Sequence, residues 1–294
     1  MNSKPSVSII IPTWNRSSKV IRAINSCLNQ TYFINEIIIV DDGSSDDTKE
    51  IILNLQSQHP NIKYVYQANQ GSQKARNNGI KNATSDLIGF LDSDDEYLPE
   101  KIEKQVAVFL SEDVDIVSCF MKRVYEKEKE HIRKWVVDEN ALELLLKYKT
   151  YVDNNSALFK KKCLERIKFD ENCKSSQEWD LHISMAQIYK YQTVKEVLSI
   201  YHMQNTQSNV FRSAEVEFNG LYYVLTKHQK IWIKTIGKKE FNILCDKLLT
   251  FRYYNSKNKI SKFISLLKLN SYFLKLLFQI QFYKSLIKSI ISNH

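Results

Sequence analysis

The feature that most constrains this chain is a regular alternation in its first 120 residues. Short apolar runs, "VSIII" (7–11, apart from Ser8), "EIIIV" (36–40), "KYVY" (63–66), "LIGFL" (87–91) and "VDIVSC" (114–119), are separated by helical patterns. A strand that is apolar on nearly every residue is covered on both faces, and the intervening helices supply the cover. The pattern predicts an α/β fold, Rossmann-like, with a mostly parallel sheet and helices on both faces. Val20, Ile21, Ile24, Cys27 and Leu28 recur at helical spacing behind Ser17 and Ser18. Further helices are predicted after "DDGSSDDT", across "QKARNNGIKNA" and from Pro99, a residue suited to a first turn.

Beyond residue 120 the rhythm loosens. "RVYEKEKEHIRKWVV" predicts a hairpin or sheet extension, "ENALELLLKY" a helix, and "NNSALFKKKCLERI" a strand running into a helix. "SSQEWDLHISMAQIY" predicts another helix and "YQTVKEVLSIYH" a last strand or two. Everything after that has a helical period. Charge divides the chain at the same place. The net charge is +9, yet residues 211–294 hold 15 Lys/Arg against 4 Asp/Glu. A near-neutral domain over 1–210 and a basic helical C-terminal extension over 211–294 are therefore expected. Five scattered cysteines without CxxC spacing argue against a zinc site or a disulfide framework, and for a reducing compartment. The N-terminal apolar run stops at Pro12, too short for a signal peptide, and no uncharged run approaches a bilayer span. A cytoplasmic protein is expected.

The stretch "IGFLDSDDEYLPE" (88–100) sets Asp92, Asp94, Asp95 and Glu96 at the mouth of a predicted strand. Such carboxylates repel unless water, a cation or a basic group sits among them. Ligands of parallel α/β sheets bind outside the carboxyl ends of the strands. That crevice would gather the Pro12–Arg16 loop, the Asp41–Asp42 pair and the acidic turn. Trp14 can pack on a base, Asp42 can accept from a base or ribose, and Asp92 with Asp94 can share a hard cation that bridges two phosphates. An EF-hand reading fails, because Tyr97 stands where glycine is obligatory. "NQGSQKARNNG" (69–79) has neither dinucleotide nor P-loop spacing, although Lys74 and Arg76 can balance a diphosphate.

"VSIIIPTWNR", "EIIIVDDGSSDDT", "NQGSQKARNNGI", "IGFLDSDD" and "QEWDL", in this order, resemble glycosyltransferase family 2 over residues 5 to about 205. The resemblance implies a GT-A fold and inverting, metal-dependent transfer from a nucleotide-sugar to a hydroxyl. It places Asp42 on the base and makes Asp92 and Asp94 the metal and ribose-diphosphate motif, with Mn2+ or Mg2+ as cofactor. The nucleotide side would draw on Pro12, Trp14, Asn15, Asp42, Lys74, Arg76, Asp92 and Ser93. The acid after Gln177 becomes the catalytic base. Where the family commonly shows Glu-Asp, this chain has Gln177-Glu178, so Glu178 takes the role and Asp180 is the backup. His202 is a candidate third metal ligand, against the ordinary structural role of a lone histidine. Asn155, Ser156 and Trp179 are candidates for the acceptor side. A UDP-sugar donor, a hexosyl- or N-acetylhexosaminyl group and a glycan or lipid-linked acceptor, as in surface polysaccharide synthesis, follow from the same resemblance. A nucleotidyltransferase or a non-catalytic nucleotide-sugar-binding protein are the alternatives.

From Lys259 on, lysines interleave with Ile, Leu, Phe and Tyr, and no acid follows Asp246. This composition suits an interfacial helix on the anionic inner face of a membrane, or helices packed on the domain or a partner. No nucleic-acid reading module accompanies it.

Overall fold

The computed structural model describes residues 4–125, 130–203 and 214–255. Contacts divide the chain into two units, Met1–Phe211 and Arg212–His294. The first unit opens with β1 (Val7–Thr13), α1 (Ser17–Leu28), β2 (Glu36–Asp41), α2 (Thr48–Gln58), β3 (Ile62–Tyr66), α3 (Ser72–Asn82) and β4 (Leu87–Phe90). The alternation read from the sequence is thus realised. A two-residue β5 (Glu96–Tyr97) and α4 (Lys101–Ser111) follow. The helix starts at Lys101 because Pro99 and Glu100 form the turn before it, with the Lys101 N–H bonding the Leu98 carbonyl. Next come β6 (Ile116–Tyr125), β7 (Glu130–Arg133), α5 (Ala141–Leu146), a 3₁₀ turn (Asn154–Ser156), β8 (Leu158–Lys160), α6 (Lys161–Arg166), α7 (Gln177–Ala186) and β9 (Tyr191–Met203).

Among the described residues nine strands form one sheet in the order β3-β2-β1-β4-β8-β6-β9-β5, with β7 on β6. The half β3-β2-β1-β4 is wholly parallel. The other half mixes directions: β8 is antiparallel to β4 and β6, while β6 and β9 run parallel. Side chains of a strand alternate between faces, and the core follows that rule. Ile9 and Ile11 of β1 and Ile37 and Ile39 of β2 join Val20, Ala23, Ile24, Ile52, Ile102 and Val106 from α1, α2 and α4 in one buried cluster. Ile10 faces the opposite way and meets Gly79 of α3, where an added methyl would overlap its Cγ2. Helices therefore lie on both faces, as the unbroken apolar strands require. Strand order reverses between β1 and β4, and that switch point holds the candidate site.

In the second unit the described residues form α8 (Ala214–Lys227), α9 (Gln229–Ile236) and α10 (Lys238–Asn255). Trp232 is fully buried, with its ring 5.7 Å from that of Phe241. Among the described residues no helix is long and apolar enough to cross a membrane. The lysine-rich segment from Lys259 lies outside the described residues.

Candidate active site

The site starts from three strand ends. After β1, Asn15 adopts a left-handed backbone (φ 49°), which short amide side chains tolerate. Its Oδ1 accepts from the Ser45 N–H at 2.8 Å and its own N–H bonds Ser44 Oγ at 2.9 Å, tying this loop to the one after β2. Trp14 is 46% exposed, leaving its ring face to a ligand. Asp42 is buried and both its oxygens are engaged. Oδ1 accepts from Gln67 Nε2 (2.7 Å) and the Gln70 N–H (2.8 Å), and Oδ2 accepts from the Gly71 N–H (2.8 Å). It therefore shapes the loop that leads into α3. Lys74, on the exposed side of that helix, bonds Gln70 Oε1 at 3.0 Å.

The acidic turn carries its own counterions. Arg76 is 6% exposed and its Nη2 lies 2.6 Å from Asp92 Oδ1. Arg16 pairs with Asp94, and Arg22 donates to the Asp94 carbonyl. Ser93 and Asp95 are buried beside them. Burial, with the Asp92 and Asp94 charges added, holds the Asp95 carboxyl well above the usual carboxylate range. Asp153 is pushed up in the same sense by burial and by Glu178 and Asp92. Neighbouring carboxylates thus add to burial in raising both groups.

Asn155 clamps this turn. Its Oδ1 accepts from the Asp92 N–H (2.8 Å), and its Nδ2 donates to Asp95 Oδ2 (2.5 Å). Ser156 Oγ is spent on the Asp153 carbonyl at 2.7 Å, and Trp179 Nε1 on the Leu145 carbonyl at 3.1 Å. All three were expected on the acceptor side. They are 1%, 4% and 2% exposed. His202 closes the turn from β9: its N–H bonds Asp95 Oδ1 at 2.9 Å and its ring Nε2 lies 3.1 Å from Glu96 Oε1.

Glu178 enters from the first turn of α7, behind Ser176 in a left-handed conformation (φ 59°). Tyr151 Oη donates to its Oε2, and the Asn154 N–H to its Oε1 at 3.3 Å. Glu178 is partly exposed, whereas Asp180 is 2% exposed in the interior. Burial raises the Glu178 carboxyl above its ordinary value, and the Tyr151 hydroxyl and Arg76 pull it back only in part. A carboxylate with raised basicity, open on one side, is suited to take a proton. Sequence reasoning missed Tyr151 and Asp153 and gave Arg16 and Asp95 no individual role. Arg16 and Asp95 lay inside stretches already singled out; Tyr151 and Asp153 carry no local signal.

The donor set fits a hard divalent cation. Among the described residues no group of three or more His, Cys, Asp or Glu side chains is arranged to hold an ion. Ions such as Mg2+, however, are ordinarily held by one or two carboxylates with phosphate oxygens and water completing the sphere. Asp92 and Asp94 offer that number, each paired here with an arginine.

The parallel half-sheet thus carries an acidic turn at its switch point, and Glu178 at the start of α7 is near enough to Asp92 for their charges to interact. Residues 8–167 match the family described as Glycosyl transferase family 2. An uncharacterized glycosyltransferase of Rickettsia typhi is 34% identical over 247 residues, covering 78% of this chain and 76% of that protein. The GalNAc(5)-diNAcBac-PP-undecaprenol beta-1,3-glucosyltransferase of Campylobacter jejuni is 45% identical over 96 residues, 32% of this chain and 31% of its own. Relatives from Nostoc sp. and Escherichia coli are matched over 34% and 35% of their own length. The fold is similar to the crystal structure of S. aureus TarS 1–349 in complex with UDP-GlcNAc, with a TM-score of 0.64 at 20% identity over 76% of this chain and 66% of that one. The chain belongs to glycosyl transferase family 2.

Proposed function

We propose that the protein is an inverting, divalent-metal-dependent transferase that moves a sugar from a nucleotide-sugar, a UDP-sugar first among candidates, to a hydroxyl of a glycan or lipid-linked glycan. The observation that carries this reading is the opposition of two acidic groups: the Asp92–Asp94 turn at the switch point and Glu178 at the start of α7. A cation bound by Asp92 and Asp94 would supply Lewis-acid stabilisation of the leaving diphosphate. Arg76 and Arg16 hold compensating positive charge at the same turn, and Asn155 fixes the backbone of Asp92 and the carboxyl of Asp95. Trp14 offers a ring face to the nucleobase. Glu178 Oε, steadied by Tyr151, accepts the proton of the acceptor hydroxyl as that oxygen attacks the anomeric carbon. One displacement inverts the centre without a covalent intermediate. The UDP-GlcNAc bound to the S. aureus neighbour and the lipid-linked acceptor in the name of the C. jejuni relative support the donor and acceptor classes. A hexosyl or N-acetylhexosaminyl group is the proposed cargo, and polysaccharide assembly at the inner face of the cytoplasmic membrane the proposed setting. The proposed division is a catalytic domain over 1–210 and a membrane-associating extension over 211–294.

The test is calorimetry of UDP and UDP-sugars with and without Mn2+. Asp94→Ala is expected to abolish the Mn2+-dependent part of the affinity. Unchanged Mn2+ dependence in that variant would sink the metal role.

A further inference from the structure

We propose that Lys101 and Gln105, two interior side chains of α4, are positioning residues that hold the Asp92–Asp95 turn in its working shape. The inference rests on the metal reading above and adds to it two residues that touch neither cation nor nucleotide.

Both side chains are fully buried. Lys101 Nζ donates to Gln105 Oε1 at 2.7 Å and sits 4.1 Å from the centre of the Tyr97 ring. The titratable groups that act on it are Cys27 of α1 and Cys119 of β6, thiols that burial keeps neutral. Among the described residues no carboxylate pairs with this ammonium, and a buried charge so placed is costly. Burial brings its pKa down to about 8, so the group keeps its charge at neutral pH.

From that one ammonium two paths reach the acidic turn. The first runs through Tyr97, whose ring carries the cation on its face. Its Oη donates to the Phe90 carbonyl. Phe90 ends β4 and Tyr97 ends β5, so this one side chain ties together the two ends of the turn. The second path runs through Gln105. Its Nε2 donates to the Val117 carbonyl at 2.7 Å and to the Ser156 carbonyl at 2.9 Å. An ammonium has donors only, so it meets the amide oxygen and thereby fixes which end of the amide faces those carbonyls. Ser156 follows Asn155, which bonds the Asp92 N–H and the Asp95 carboxyl. Without the ammonium, Gln105 Oε1 becomes a buried acceptor with no donor, and the hold on the Asn155 turn weakens.

The experiment uses the full chain and its Lys101→Met and Gln105→Met variants, since methionine fills the volume of either side chain. Calorimetry reads UDP affinity with and without Mn2+, and hydrogen exchange reads backbone protection. Each variant is expected to lose about tenfold of the Mn2+-dependent affinity, the scale of one lost buried hydrogen bond, and to keep the Mn2+-independent part. Exchange should rise over residues 88–98 and stay unchanged over residues 72–82 of α3. Unaltered Mn2+ dependence, or unaltered exchange over 88–98, in both variants overturns the proposal. An equal rise over 72–82 marks general destabilisation and overturns it too. If UDP affinity in the unaltered chain were indifferent to Mn2+ while the variants still loosened 88–98 alone, the metal reading would fail and the positioning role would stand.

Discussion

Glu178 and Asp180 are two acids on one helical turn, and environment separates their roles. Asp180 is interior, while Glu178 is partly exposed and bonded through Tyr151. Glu178→Gln is expected to keep UDP affinity and lower transfer roughly 10²-fold, the usual scale for a lost general base. Normal turnover in that variant beside a dead Asp180→Asn would exchange the two assignments. Catalysis needs the deprotonated base, and burial raises the Glu178 carboxyl. The acid limb of kcat/KM should therefore lie above the ordinary glutamate value, with activity lost as pH falls through it. A limb at or below that value would refute the burial argument. At this scale the sequence singles out carboxylates only where they stand in a motif. Asp92, Asp94 and Glu178 are candidates on that ground. Tyr151 is not singled out, because a separation of 27 positions from Glu178 leaves no periodic trace.

At the scale of elements, apolar runs made β1, β2, β3, β4 and β6 legible, and the helices between them followed from spacing. What escaped was pairing. Two residues of β5 carry no period, yet they pair antiparallel with β9 and so bring His202 against Asp95. The antiparallel insertion of β8 between β4 and β6 has no local signature either, and it delivers Asn155 to the acidic turn. The contact of α3 with β1 gives a direct test. Gly79→Ala gains up to about 1 kcal/mol of helix propensity. The added methyl overlaps Ile10 Cγ2 in a packed core, where overpacking costs about 1–3 kcal/mol. Net destabilisation by urea unfolding is expected; a more stable variant would mean that α3 can shift off β1.

For the whole molecule, charge is the informative quantity. Residues 247–294 hold nine Lys/Arg and no acids, among many Phe, Tyr, Leu and Ile. Each basic side chain near an anionic bilayer contributes on the order of 1 kcal/mol, a contribution that salt screens, while inserted apolar groups add a salt-resistant part. The full chain is expected to co-sediment with anionic vesicles and a chain ending near Asp246 is not; equal binding by both would refute the anchor. The central claim, inverting transfer at a switch-point site, is tested most directly by the anomeric configuration of the sugar released during slow hydrolysis of a UDP-sugar in Mn2+, read by proton NMR before mutarotation. The account predicts that the inverted anomer appears first and that Glu178→Gln suppresses it. First release of the retained anomer would contradict it.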